Sequence, residues 1–75
     1  MPLTKREVLS LQEGKVLAIR INDTEVRLHI VKKVLRNMYI RNAHAVEILV
    51  ESKETGFELN MVVAERMDGI SIIDM

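Results

Sequence analysis

The chain has no cysteine and no tryptophan, one tyrosine, one phenylalanine and one proline. Without cysteine there is no disulfide framework and no thiolate metal site to support a small core. It also fits a reducing compartment. Scarce aromatics leave the core to Val, Ile, Leu and Met. No apolar run approaches the ~20 residues that a membrane helix needs. The stretch from Met1 to Gly14 carries no apolar signal segment. The expectation is a cytoplasmic protein with no membrane partner.

What remains is 75 residues, nearly half of them apolar. That excludes a disordered chain and predicts a single small domain over residues 1–75. A domain of this size buries only about 60–65% of its unfolded surface. Oligomerisation is the open route to burying more.

The eleven basic and eleven acidic residues cancel overall but are segregated. Between Lys15 and Arg41 seven cations (Lys15, Arg20, Arg27, Lys32, Lys33, Arg36, Arg41) face only Asp23 and Glu25. After Arg41, seven acids (Glu47, Glu51, Glu54, Glu58, Glu65, Asp68, Asp74) face only Lys53 and Arg66. Such a split concerns partners rather than fold. It predicts a basic surface that binds something, or two complementary surfaces that bind each other.

The patterning predicts a short helix and then five or six strands. Thr4 and Glu7 have capping-box spacing, Leu3 and Val8 have staple spacing, and Gly14 is placed to end the helix. Lys15 to Ile21 alternates, with Leu17, Ile19 and Ile21 as its apolar face. Asn22-Asp23 suits a two-residue hairpin turn. Glu25 to Ile30 alternates next, with Val26, Leu28 and Ile30 expected inward and Arg27 and His29 outward. From Val31 to Ile40 two periods compete. Val31, Val34, Leu35 and Met38 have helical spacing, but the Val/Ile content of 26–34 favours a continuing, bent strand that breaks near Arg36-Asn37.

Ala45 to Glu51 reads as a strand, Ser52 to Gly56 as a turn, and Phe57 to Arg66 as a strand with Phe57, Leu59, Met61 and Val63 on one face. Asp68-Gly69 predicts a hairpin, with Ile70 to Asp74 pairing back. The fold class is mainly β: an antiparallel meander closing into a small barrel or an intertwined dimer, either of which removes exposed edges.

Little in the sequence carries chemistry. His29 and His44 are read as two solvated histidines, since a strand puts His44 and Glu47 on opposite faces. Thr4 is a cap, and Thr24, Ser52 and Thr55 belong to turns. No glycine-rich phosphate loop is present. The reading is therefore non-enzymatic, with no cofactor, no metal and no small-molecule substrate indicated.

Two interaction readings remain. Val62-Val63 and Ile72-Ile73 are apolar on both strand faces, which implies a covering partner: another copy of the chain and a further protein. This makes the chain an adaptor, assembly or inhibitory factor acting as a homo-oligomer, a role that suits a phage-encoded host-interaction protein. The alternative is nucleic acid, held by Arg27, Lys32, Lys33, Arg36 and Arg41 with Tyr39 stacking on a base. A blander use of the same cations is pairing with glutamates across strands.

Residues 3–19, LTKREVLSLQEGKVLAI, are similar to the helix–glycine–strand segment of SpoA domains. Residues 45–73, AVEILVESKETGFELNMVVAERMDGISII, resemble the closing hairpins of that family, with Gly69-Ile70-Ser71-Ile72 in the place of its final Gly-apolar-x-apolar strand. The resemblance implies an intertwined β dimer of the kind found in flagellar switch rings and type III secretion sorting platforms, with no catalytic residue. The strand that opens a SpoA domain is missing, and residues 22–41 have no counterpart. A helix leading into a strand meander also resembles Sm-like RNA-binding barrels, although their Asp-x-x-apolar-Asn signature is absent.

Overall fold

A computed structural model of the chain describes residues 2–73. It begins with the predicted capping box. Thr4 Oγ1 accepts from the Glu7 amide at 3.2 Å, and the Glu7 carboxylate accepts from the Thr4 amide at 3.0 Å. The helix α1, Lys5–Leu9, is shorter than its sequence suggested. It ends at Ser10, so Gly14 is not its stop. Gly14, at φ +94°, instead donates to the Val31 carbonyl at 2.9 Å and steers the chain into the sheet.

Five strands follow: β1 Val16–Arg20, β2 Val26–Ile40, β3 Ala43–Ser52, β4 Glu58–Ala64 and β5 Ile70–Ile73. They form one antiparallel sheet in the order β4-β3-β2-β1-β5. The mainly β class therefore holds. The sheet is not closed: β4 and β5 are its two edges.

The predicted final hairpin is corrected by this order. β5 does not return along β4; it pairs with β1, Leu17 against Ile72 and Ile19 against Ile70. Asp74, the last residue of the predicted strand, lies outside the described residues. Arg66 at φ 71° and Gly69 at φ +81° make the intervening segment a crossing between edges rather than a two-residue turn. The Arg20 amide donating to the Gly69 carbonyl at 2.8 Å delivers the chain to β1. The Asn22-Asp23 turn is also longer than expected. The Ile21 amide closes the loop on the Glu25 carbonyl, and the Asn22 side chain accepts from the Thr24 amide in an Asx turn.

Residues 31–40 continue β2, as the β-branched content favoured, but the expected break near Arg36-Asn37 is absent: both residues pair with β3, opposite Glu47 and Val46, and the strand runs on to Ile40. Lys32 and Leu35 are each extra in the pairing with β3: Val31 faces Val50, Lys33 faces Leu49, Val34 faces Ile48 and Arg36 faces Glu47. Each bulge places two residues opposite one and shifts the side-chain phase. Val31 and Val34 are thus three apart yet on one face. The helix-like spacing is a strand period interrupted twice.

The same phase shift corrects the faces of 26–30. An unbroken strand puts Val26, Leu28, Ile30 and Val34 together. With Lys32 inserted, the face that carries Val31 and Val34 runs back through His29 and Arg27. His29 is accordingly buried, with 8% of its surface exposed, while Val26 and Leu28 are exposed. A phase error of one residue exchanges the two faces of a strand.

The core lies on the face of β3 that carries Val46, Ile48 and Val50, with Leu17, Val31, Val63 and Ile70 around them. Leu3, Val8 and Leu11 close it from the N-terminus, where α1 packs on β3 and β4. Leu3 is held by its backbone, donating to the Met67 carbonyl at 2.9 Å and accepting from the Arg66 amide at 2.8 Å.

Leu17 sits between two strands with no exposed surface. Leu17→Ala is expected to cost about 2–5 kcal/mol, and Thr4→Ala about 0.5–2 kcal/mol through the lost cap. Urea titrations of the two variants check both values.

Candidate interaction surfaces

On β3, Ala45, Glu47, Leu49 and Glu51 alternate with the core residues and define the outer face. Lys32, Lys33 and Arg36 of β2 meet that face. The Lys32 ammonium lies 3.4 Å from Glu51, and the Arg36 Nε lies 3.0 Å from Glu47. Lys33 is exposed beside Leu49 and forms no ion pair among the described residues. The basic and acidic halves of the sequence are thus laid against each other as neighbouring strands. Arg27 stands apart, at the start of β2, with its Nε 2.9 Å from Glu25.

Tyr39 and Arg41 occupy the other end of β2. Tyr39 is 63% exposed, and its ring meets His44 edge to face at 4.9 Å. Arg41 and Asn42, at φ 52° and 61°, form the two-residue turn between β2 and β3. Positive φ at both positions is the geometry hairpins prefer. Asn42 carried that signal in the sequence, but Arg41 before it concealed the turn. The six candidate residues therefore fall in three places: the outer face (Lys32, Lys33, Arg36), the start of β2 (Arg27) and its far end (Tyr39, Arg41).

Neither histidine is a solvated bystander. His29 is buried in the row Leu17–His29–Ser52, and its Nδ1 has no hydrogen-bond partner. His44 is half-buried and held by Glu65: one carboxylate oxygen accepts from the His44 amide and lies 2.9 Å from the ring Nδ1. This pair ties the start of β3 to the crossing segment after β4. Among the described residues, no three histidine or acidic side chains converge as a metal site would require.

The described residues include no helix long and apolar enough to cross a membrane. The exposed apolar residues include Leu59 and Val62 on edge strand β4, Phe57 before it, Val26 and Leu28 on β2, and Ile21 and Ile40 at strand ends. Sequence reading found Val62 but not Phe57 or Leu59, because their face is apolar along all of β4 and only its inner half is covered. A search of family models, of curated proteins and of solved structures finds no match to this chain.

The His44 amide, and then the ring, hold the Glu65 carboxyl below its ordinary value of 4.5. A depressed carboxylate stabilises the fold above the ordinary range, and that contribution is lost as pH falls through the lowered value. Glu65→Gln is therefore expected to lower Tm at neutral pH and to differ less from the parent as pH drops below 4.5. Melting curves across the acid range check the sign; a gap that widens in acid would overturn it.

Proposed function

We propose that the chain is a non-enzymatic interaction module that acts as a homo-oligomer through the edges of its sheet. The observation that carries this reading is the pair of edges. Open edges present rows of unpaired backbone groups, and soluble proteins cover or blunt them. The β3–β4 ladder is anchored by the Ser52 amide on the Phe57 carbonyl and by the Glu65 amide on the His44 carbonyl. Antiparallel alternation then turns the Glu58, Asn60 and Val62 amides outward. No proline or inward charge blunts β4. Leu59 and Val62, 47% and 44% exposed, lie along it. A second strand there would satisfy the amides and cover the apolar side chains in one step.

Like edges meeting produce a two-fold dimer, whereas β4 meeting β5 produces a head-to-tail contact that closes into a ring or extends as a filament. Closure of a barrel-like layer across copies, or an intertwined dimer of the SpoA kind, belongs to this reading. So does the role of adaptor, assembly or inhibitory factor toward a further protein in the cytoplasm.

Nucleic acid is the second reading. It is supported by exposed Tyr39 beside Arg41, and by Lys33 with no ion pair among the described residues. It is weakened by Lys32 and Arg36, whose charges are already answered by glutamates.

Light scattering on the purified chain is expected to give a mass at least twice the 8.6 kDa monomer. Asn60→Pro removes one outward amide without breaking the β3–β4 ladder, and is expected to shift the population toward monomer. A clean monomer for the parent would sink the edge reading. A strong 260 nm absorbance that disappears at high salt would put nucleic acid first, since phosphate contacts are salt-sensitive.

A further inference from the structure

A cleft opens at the turn between β3 and β4. It has a volume of about 380 Å³ and is lined by Arg27, His29, Ser52, Glu54, Thr55, Phe57 and Leu59. The pairing His29–Ser52, continued by the Ser52 amide on the Phe57 carbonyl, forms its floor. Phe57 and Leu59, 74% and 47% exposed, form an apolar wall. The volume is within the range of small-ligand sites.

Arg27, His29, Ser52 and Thr55 can each donate a hydrogen bond here. Ser52 Oγ accepts from the Glu54 and Thr55 amides, so its own proton is uncommitted among the described residues. Thr55 Oγ1 accepts from the Phe57 amide and is left in the same state. The Arg27 Nε is paired with the Glu25 carboxylate at 2.9 Å, which answers part of its charge and leaves the two terminal amino groups as donors.

His29 is more than nine-tenths buried. Its Nδ1 is sealed without a partner, and Nε2 is the ring nitrogen that retains access. An orphaned buried N–H is costlier than an orphaned lone pair. The ring proton therefore belongs on Nε2, and His29 is one of the residues that line the cleft. Glu54 at the rim is the one carboxylate in the lining.

We infer that this cleft is a binding site for an organic carboxylate with an apolar or aryl body. The anion would be met by the guanidinium of Arg27, the two hydroxyls and His29 Nε2–H, and the body would lie against Phe57 and Leu59. Charge-assisted bonds to a carboxylate are the stronger kind of hydrogen bond, and an aromatic face adds area at low entropic cost. The ligand chemistry has two sources, a free acid or the C-terminal carboxylate of a peptide ending in an apolar residue. A monomeric chain leaves the inference standing, whereas a second strand on β4 competes with the ligand body for Leu59.

The test is a proton–nitrogen correlation titration of the labelled chain with 3-phenylpropionate, with 3-phenylpropylamine as the isosteric cation. The acid is expected to cause saturable shifts at 27, 29 and 52–59. The amine is expected to leave them unmoved. Arg27→Gln and Phe57→Ala, both at exposed positions, are each expected to weaken the acid about tenfold while the rest of the spectrum is unchanged. A tetrapeptide ending in phenylalanine, free or amidated at its C-terminus, separates the sources. Tighter binding of the free-acid peptide than of phenylpropionate assigns a protein tail, and the reverse assigns a metabolite; both uphold the site. Equal shifts from acid and amine, no saturable shift at millimolar acid, or a His29 ring found by nitrogen spectroscopy with its proton on Nδ1 would each overturn it.

Discussion

The fold depends on one strand being made to bend. β2 runs for fifteen residues, but only its first part pairs with β1, and only from His29 onward does it pair with β3. A flat strand of that length would hold both neighbours in one plane and leave a single layer with no interior. The insertions at Lys32 and Leu35 add twist and turn the two halves toward each other. Leu17 and Ile72 from one half can then pack on the same core as Val46, Ile48 and Val63 from the other. With the sheet rolled, a helix of five residues is enough to cover the remaining opening. Without the roll, a helix that short could not bury the apolar face of five strands.

The charge segregation has its explanation in the same strand. A basic segment followed by an acidic one in an antiparallel pair places opposite signs side by side, and the Lys32–Glu51 and Arg36–Glu47 contacts follow. These pairs are exposed, so each adds little to stability. Their larger effect is on register, because a slip between β2 and β3 would part the cations of β2 from the glutamates of β3. The cations are thus partly withdrawn from external partners.

Much of the fold was legible in the sequence because local chemistry decided it. Thr4 and Glu7 satisfied a helix terminus that only a few residue types can satisfy. Gly56 ended the β3–β4 turn at positive φ, as a glycine there implies. The misreadings share a cause: they required knowledge of what lies across the sheet. Nothing within 26–30 states that two insertions follow, so alternation placed His29 outside. Asp68-Gly69 has the chemistry of a tight turn, yet the neighbour that β5 joins is β1, some fifty residues earlier. Of the candidate sites, the cations were visible as residue types, and so was their pairing with glutamates across strands, but not which glutamate each would meet. The donor-rich cleft was invisible, because Arg27, His29, Ser52 and Phe57 meet only through strand pairing.

The last strand also sets an order of events for a chain that emerges from its N-terminus. β1 pairs with β2 across a short loop, but its other side pairs with β5, the last strand of the sheet. Until β5 arrives, β1 is an exposed edge of Val, Leu and Ile, and the side of Leu17 toward β5 is unfilled. The β1–β5 pairing spans the greatest sequence separation in the sheet and so closes its largest loop, a kind of contact that slows folding. A nascent or truncated chain therefore differs from the finished one in more than length. It offers a sticky strand near its start, and a second nascent copy nearby could capture it before its own β5 does.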